Sequence, residues 1–175
     1  MWHAMRCALW PDGAGEHRAE IDRFFAGDRR EPAEVLLALD SGDIPLGFVE
    51  LLIRNIVDGC SSGNVAYLEG WYVVPHARGV GVGRALVSAA EEWARDQGCT
   101  ELASDAEIDN AVSLAAHHAL RFEETSRAVN FRKTVRVKSE GLRYTRSPCM
   151  CLSRFTLTTR MSSRHSCGSS SSRRS

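Results

Sequence analysis

The sequence predicts an α/β (α+β) domain, in which a β-sheet is combined with several helices. Runs rich in branched and aromatic residues follow one another between residues 35 and 74, with amphipathic stretches on both sides. The chain has 175 residues, 43% of them hydrophobic, which suits one domain with a real core. It contains no run of 18 apolar residues and no basic-then-apolar leader, so we expect a cytoplasmic protein that does not enter a membrane.

The first half of the chain predicts two helices followed by a strand hairpin. The Trp10-Pro11 pair breaks the first helix, because proline cannot continue it, and Gly27 ends the second. Residues 40–43 have the composition of a hairpin turn. The predicted helices cover residues 2–9 and 16–26, and the predicted strands cover residues 35–39 and 46–53.

The second half predicts strands and helices in alternation. Val82, Leu86 and Ala90 recur at helical spacing in the longest helix, and Asp109 or Asn110 would cap the helix after it. The predicted strands cover residues 65–74, 100–104 and 122–133, and the predicted helices cover residues 81–97 and 110–120.

A glycine-rich segment joins the 65–74 strand to the longest helix. Glycines let backbone N–H groups approach a ligand, and the helix start adds unpaired donors and a positive dipole end, so the segment suits a pyrophosphate. A dinucleotide fingerprint fails because Arg84 replaces its third glycine, and the Gly-Lys-Ser/Thr ending of a P-loop is missing. A plain strand-to-helix turn remains an alternative. The segment consists of Arg78, Gly79, Val80, Gly81, Val82, Gly83 and Arg84.

The third pattern, R-x-x-G-x-G at a helix start, resembles the acetyl-coenzyme A loop of the GNAT acetyltransferase superfamily. The stretches LWPDG, RNIVDGC, YLEGWYVVP, ELASD and RFEET, with NFRK, are together similar to aminoglycoside 6'-N-acetyltransferases, over about residues 5–133. The resemblance implies a central mixed, mostly antiparallel sheet flanked by helices, with acetyl-coenzyme A as co-substrate and no metal. The superfamily normally begins with a strand before its first helix, whereas this sequence starts inside that helix, so we expect either that the first strand is absent or that the natural chain starts earlier.

The resemblance also implies a cofactor site in a V-shaped gap where two neighbouring parallel strands splay. Gly70 suits a bulge at that point. Asn110 would reach the pantetheine arm, although helix capping explains it equally well. The pyrophosphate would be held by residues 79–84, and the pantetheine amides would pair with the backbone of Trp71, Tyr72 and Val73.

The implied second substrate is a cationic aminoglycoside, for which carboxylates are the natural partners. Glu69 and Asp105 match the acidic substrate-binding positions of the family, and Trp10 matches a substrate-contacting tryptophan, with a packing role as its alternative. Glu69 is the candidate base for the amine proton. His117 stands where many superfamily members have a tyrosine that protonates the leaving thiolate, a task that imidazole can perform near neutral pH.

The chain departs from the family pattern mainly on the substrate side. A tyrosine expected after the second strand is absent from residues 54–58, and Gly13 replaces a histidine. Ser126 replaces a glutamate, and Arg121 replaces a glycine, so a left-handed backbone there would be strained.

Residues 136–175 differ in composition from residues 1–135, which we take as the acetyltransferase domain. The tail carries nine Lys or Arg residues, eleven serines and one acid, and it predicts a disordered or non-native extension. It has only two aromatic residues, so nucleic acid is not the expected partner. Residues 1–135 are left with a net charge of −8, which favours a cationic substrate.

The leading hypothesis is therefore an aminoglycoside 6'-N-acetyltransferase that confers antibiotic resistance. One alternative is a GNAT acetyltransferase for another amine, such as a polyamine or a protein amino terminus. Another is an inactive, truncated remnant, because a missing edge strand would leave the sheet open to association. Relatives are often dimers, so a homodimer is a further expectation.

Overall fold

The computed structural model describes residues 1–135, of which Met1–Asn130 form one compact unit. The tail prediction for residues 136–175 lies outside the described part. The helices are α1 (Trp2–Leu9), α2 (Ala14–Phe25), α3 (Val82–Asp96) and α4 (Ala111–Ala119). The strands are β1 (Glu34–Leu39), β2 (Pro45–Arg54), β3 (Val65–Val73) and β4 (Leu102–Ser104), and short 3₁₀ turns cover Pro11–Gly13 and Pro75–Ala77.

These elements confirm the sequence prediction except at its end. The strand predicted for residues 122–133 is wrong, because residues 122–135 are irregular. The three-residue β4 offers only a short edge for a further strand. Val129 is 77% exposed and Phe131 is 94% exposed. Burial of these apolar side chains therefore does not offset the conformational entropy that forming a strand would cost.

The sheet has the order β1-β2-β3-β4 and is mixed, mostly antiparallel, as expected. The β1–β2 and β2–β3 pairs are antiparallel, and β3 and β4 are parallel. In the described residues β1 is the outer strand of the sheet, beside β2.

Helices cover both faces of the sheet. On one face, α3 packs its apolar stripe against β2 and β3, and the buried residues are Val49, Leu51, Leu68, Leu86, Val87 and Ala90. On the other face, α1 and α2 pack against the sheet through Trp2, Met5, Ile21, Phe24 and Phe48. Each such side chain contributes about 1.5–3 kcal/mol when it is fully buried.

A buried ionic contact fixes α1 on the sheet. Glu50 of β2 is 1% exposed, accepts a hydrogen bond of 2.8 Å from the Trp2 indole and lies 2.8 Å from Nε of Arg6. Arg6 also pairs with Glu20 of α2. Burial raises the pKa of Glu50, and the neighbouring Arg6 opposes this shift. Because α1 leads directly into Trp10, this contact also fixes the position of Trp10.

Arg121 has a φ of +65°, so the backbone does adopt the left-handed conformation at the position where the family pattern has glycine. It lies just beyond α4, where such a residue commonly ends a helix. A side chain in this conformation costs roughly 1–2 kcal/mol. The strain expected from the sequence is therefore present in the fold.

Candidate active site

A gap opens in the sheet where β3 and β4 stop pairing. The parallel pairing ends at Leu68 and Ser104, and β3 continues through Val73 with its other edge on β2. The backbone of Trp71, Tyr72 and Val73 therefore has an open edge on the side of β4. Such an edge can accept an extended ligand as an additional strand.

A cavity of about 590 Å³ lies at this open edge. Its walls are formed by the end of α1, the second half of β3, the glycine-rich segment and the start of α4. The cavity contains seven of the predicted cofactor residues. They are Trp71, Tyr72, Val73, Arg78, Gly79, Gly83 and Asn110, and the other lining residues are Ala8, Leu9, Val112, Ser113 and Ala116.

The remaining predicted cofactor residues do not line this cavity: Val80 and Gly81 belong to the turn before α3, and Val82 and Arg84 belong to the first turn of α3. Gly81 precedes α3 with a φ of +99°, and Gly79 has a φ of +78°. Both conformations strongly favour glycine. The turn therefore presents backbone N–H groups at the start of a helix, which suits an anion.

Two contacts fix this turn against β3. A Cβ atom on Gly83 would lie 2.9 Å from Cζ2 of Trp71, so only glycine lets α3 start this close to the strand. Nε of Arg78 donates a hydrogen bond of 2.9 Å to the carbonyl of Val73. The cationic side chain is thus held beside the open strand edge, where it adds positive potential for a phosphate group.

Asn110 performs the capping role that the sequence left open. Its Oδ1 accepts a hydrogen bond of 3.0 Å from the N–H of Ser113, at the start of α4. The same residue lines the cavity. Since the side-chain oxygen is engaged, the amide nitrogen is the group that can donate to a ligand.

A β-bulge positions Glu69 at the other end of the gap. Glu50 pairs with Gly70 and Leu51 pairs with Leu68, so Glu69 is the extra residue of β3. The bulge predicted at Gly70 is therefore confirmed. It turns the Glu69 side chain away from the core, and 41% of that side chain is exposed.

Trp10 lies directly beside this bulge. A Cβ atom on Gly70 would come within 2.6 Å of its ring, so the glycine makes room for the indole. Nε2 of His17 lies 2.8 Å from the Trp10 carbonyl, and the Arg6 guanidinium lies 5.3 Å from the ring. Trp10 is thus a well-packed side chain and also a neighbour of the acidic site, so both interpretations of it remain consistent with its position.

Two residues that the sequence analysis missed connect the predicted substrate carboxylates. Arg54, at the end of β2, donates a hydrogen bond of 2.6 Å to Oε2 of Glu69. Its guanidinium lies 3.5 Å from the ring centroid of Tyr67. The Tyr67 hydroxyl donates a hydrogen bond of 2.7 Å to Oδ1 of Asp105. Glu69 and Asp105 therefore belong to one cluster, and Arg54 and Tyr67 lie between them.

Burial, together with the hydrogen bond to Asp105, raises the pKa of Tyr67 far above its ordinary value. The phenol is therefore a hydrogen-bond donor at any physiological pH. This holds the Asp105 carboxylate in place and leaves its second oxygen for another partner. Arg54, the last residue of β2, pairs with Val65, the first residue of β3, and no local sequence pattern indicated this contact.

His117 is held by hydrogen bonds on both ring nitrogens. Nδ1 lies 2.8 Å from the carbonyl of Ser113, so this nitrogen carries a proton. Nε2 lies 3.1 Å from Oγ of Ser104, whose hydroxyl also lies 3.0 Å from the carbonyl of Leu68. When the imidazole is cationic, each proton in this series of hydrogen bonds has an acceptor: the Ser113 carbonyl for Nδ1–H, the Ser104 hydroxyl for Nε2–H and the Leu68 carbonyl for the hydroxyl proton. A direct proton transfer to a leaving group would require the bond to Ser104 to break.

The rings around His117 restrict it further. Trp71 and Phe122 contact it edge to face, with centroids 5.4 Å and 5.1 Å away. Ser104 is the last paired residue of β4, so this chain of hydrogen bonds lies at the point where the strands separate. His117 itself is not among the residues that line the cavity.

Two features of other protein classes are absent from residues 1–135. None of their helices has the length and apolar character needed to cross a membrane. The same residues contain no group of three His, Cys, Asp or Glu side chains arranged to hold a metal ion.

Comparison with known proteins agrees with this geometry. The model of the acetyltransferase (GNAT) family matches residues 2–122. An aminoglycoside N(6')-acetyltransferase type 1 of Klebsiella aerogenes is 54% identical over 133 residues, which cover 75% of this chain and 88% of that protein.

Two solved structures of the aminoglycoside N-acetyltransferase AAC(6')-Iy are also similar. The complex with CoA has a TM-score of 0.69 at 36% identity, over 75% of this chain and 86% of that one. The complex with the bisubstrate analogue CoA-S-monomethyl-acetylneamine has a TM-score of 0.69 at 34% identity, over 77% and 90%. The chain therefore belongs to the acetyltransferase (GNAT) family and, within it, to the aminoglycoside N(6')-acetyltransferases.

Proposed function

We propose that the protein transfers the acetyl group of acetyl-coenzyme A to the 6'-amine of aminoglycoside antibiotics and thereby confers resistance to them. The observation that carries this proposal is the junction of two sites on β3. An open strand edge with an anion-binding turn lies next to a bulge that presents a carboxylate. The names of its relatives and the bisubstrate analogue bound by a similar structure support the same reaction.

Each side of the gap has a distinct task in this proposal. The backbone of residues 71–73 pairs with the amides of the pantetheine arm, and the turn at residues 79–84 holds the pyrophosphate beside Arg78. The thioester then lies toward Glu69. Glu69 and Asp105 bind ammonium groups of the antibiotic, and Trp10 contacts its rings. The net charge of −8 in residues 1–135 attracts such a polycation.

The chemistry requires three proton transfers, because the nitrogen gives up two protons and the sulfur takes one. Glu69 accepts the first proton of the 6'-ammonium, directly or through water, and passes it to solvent, so that the nitrogen lone pair can attack the thioester carbonyl. The new C–N bond forms, the nitrogen loses its second proton by the same route as the C–S bond breaks, and the leaving thiolate takes a proton from His117. Since Nε2 of His117 is bonded to Ser104, we infer that this bond breaks as the proton moves.

The domain, location and assembly belong to the same proposal. We assign the activity to residues 1–135 and place the protein in the cytoplasm, where acetyl-coenzyme A is available. A homodimer is also proposed, because β1 is a sheet edge that can pair with a second chain. Size-exclusion chromatography with light scattering measures the assembly directly.

The experiment that tests the function is thiol release from acetyl-coenzyme A in the presence of kanamycin. We expect turnover by the parent protein and a kcat lower by about 10²–10⁴-fold in Glu69→Gln, which loses the general base. Glu92→Gln is the matched control, since Glu92 is an exposed carboxylate of α3 outside the site. Folded protein that releases no thiol with any aminoglycoside would contradict the proposal and favour another amine or an inactive remnant.

A further inference from the structure

The acidic site already contains a cation of the protein itself. Arg54 donates to Glu69 at 2.6 Å and lies over the Tyr67 ring at 3.5 Å. A carboxylate and an aromatic face are the two groups that bind an ammonium ion most readily in proteins. The guanidinium thus occupies a position that has the chemistry of an ammonium site.

Arg54 is also able to leave this position. Its side chain is 40% exposed and that of Glu69, to which it donates, is 41% exposed. An ion pair with this exposure contributes little, because water and salt screen it and two long side chains must be ordered. A substrate ammonium group can therefore displace the guanidinium into solvent at a small but definite cost.

We propose that Arg54 is a competing cation of the protein itself, because its guanidinium occupies the ammonium position between Glu69 and the Tyr67 ring and must be displaced by the substrate. This inference rests on the proposed function. Displacement weakens the binding of every amine by the same factor. A substrate with a second ammonium group on Asp105 therefore still binds usefully, whereas a simple monoamine binds too weakly to be used.

The test compares the binding of kanamycin to the parent protein, Arg54→Gln and Arg54→Lys by isothermal titration calorimetry at low ionic strength. We expect Arg54→Gln to bind about three- to tenfold more tightly, since it removes the competing cation. Arg54→Lys keeps the charge but loses the planar guanidinium over the Tyr67 ring, so its affinity should lie between those of the parent and Arg54→Gln. Arg95→Gln removes the same charge from the exposed surface of α3 and is expected to bind like the parent.

A second comparison locates the effect. In the Glu69→Gln background, the change Arg54→Gln should give no improvement, because the carboxylate for which arginine and substrate compete is gone. Equal or weaker kanamycin binding by Arg54→Gln would overturn the inference and make Arg54 a supporting residue. The inference is also overturned if neither the parent protein nor Arg54→Gln binds kanamycin. Thiol release is measured in parallel, so binding without turnover would count against the proposed reaction but would still decide the role of Arg54.

Discussion

The cofactor side and the substrate side of the gap are built from different parts of the chain. The cofactor side consists mainly of backbone, namely the open edge of β3 and the turn before α3, and glycines let the backbone approach. The substrate side consists of charged side chains that contact one another, with Arg54 and Tyr67 between Glu69 and Asp105.

This difference explains where the two sides tolerate change. Backbone groups are present whatever the side chains are, so the cofactor side depends on conformation at a few glycines. The substrate side depends on the identity of each charged residue. One substitution can replace a group that binds the substrate by a cation that competes with the substrate for a carboxylate. The departures from the family pattern at Gly13, Ser126 and residues 54–58 concern positions that the resemblance assigns to the substrate side.

The largest effect is expected from Gly81→Val, which should weaken binding on the cofactor side and leave binding on the substrate side unchanged. Its φ of +99° is unfavourable for a branched side chain, so the turn must change shape. We expect acetyl-coenzyme A to bind about thirtyfold more weakly or worse, at a cost of about 2 kcal/mol. Kanamycin binding should stay within about twofold of the parent when both are measured by calorimetry.

The control for this change is Gly15→Val. Gly15 lies in α2 with no atom near its missing Cβ and with an ordinary backbone conformation. Its cofactor affinity should be unchanged. Equal loss of kanamycin binding in Gly81→Val would show that the two sides are not independent.

An intermediate effect is expected from Ser104→Ala, at the point where the two sides meet. The variant removes the partner of Nε2 of His117 and the donor to the Leu68 carbonyl. We expect kcat for kanamycin acetylation to fall about tenfold while KM for acetyl-coenzyme A stays unchanged. Ser104→Thr keeps the hydroxyl and should restore most of the rate. A parent-like rate in Ser104→Ala would exclude a role for this hydrogen-bond chain in the proton transfer.

The smallest effect concerns the loop between β2 and β3, where Glu101 accepts hydrogen bonds from Ser61 and Ser62. Hydrogen bonds from Ser62 and then Ser61 hold the pKa of Glu101 below its ordinary value of 4.5. A carboxyl group with a lowered pKa stabilises the fold above its unfolded pKa, and this contribution disappears as the pH falls through the folded value. Glu101→Gln should therefore melt below the parent at pH 7, with the difference closing below about pH 4.

Thermal melts across about pH 3–8 measure this difference, because they span the titration of the carboxyl group, and Glu107→Gln serves as an exposed control. A constant difference between the two melting curves at every pH would show that Glu101 acts through packing rather than through its charge.

The sequence predicted the strand, the glycine-rich turn and the helix from which we propose that the cofactor side is built. The strand before the turn, the glycines and the stripe of α3 are local patterns, in which each conformation depends on residues a few positions away. Gly81 and Gly83 could be identified because only glycine satisfies the conformation or the spacing at those positions. The last strand was wrong because a strand also needs a neighbouring edge, and the short β4 offers little of one.

Sequence alone thus determined the fold class and identified the glycine-rich turn and the two carboxylates as candidates. Tertiary structure decided what those carboxylates contact. Tyr67 and Asp105 are separated by 38 positions, Arg54 and Glu69 by 15, and Trp2 and Glu50 by 48. No local pattern encodes such pairs, because the register of β2 and β3 and the bulge at Glu69 determine which side chains meet. The identity of a charged residue is a property of the sequence, whereas the opposing charge that it meets is fixed by the folded chain.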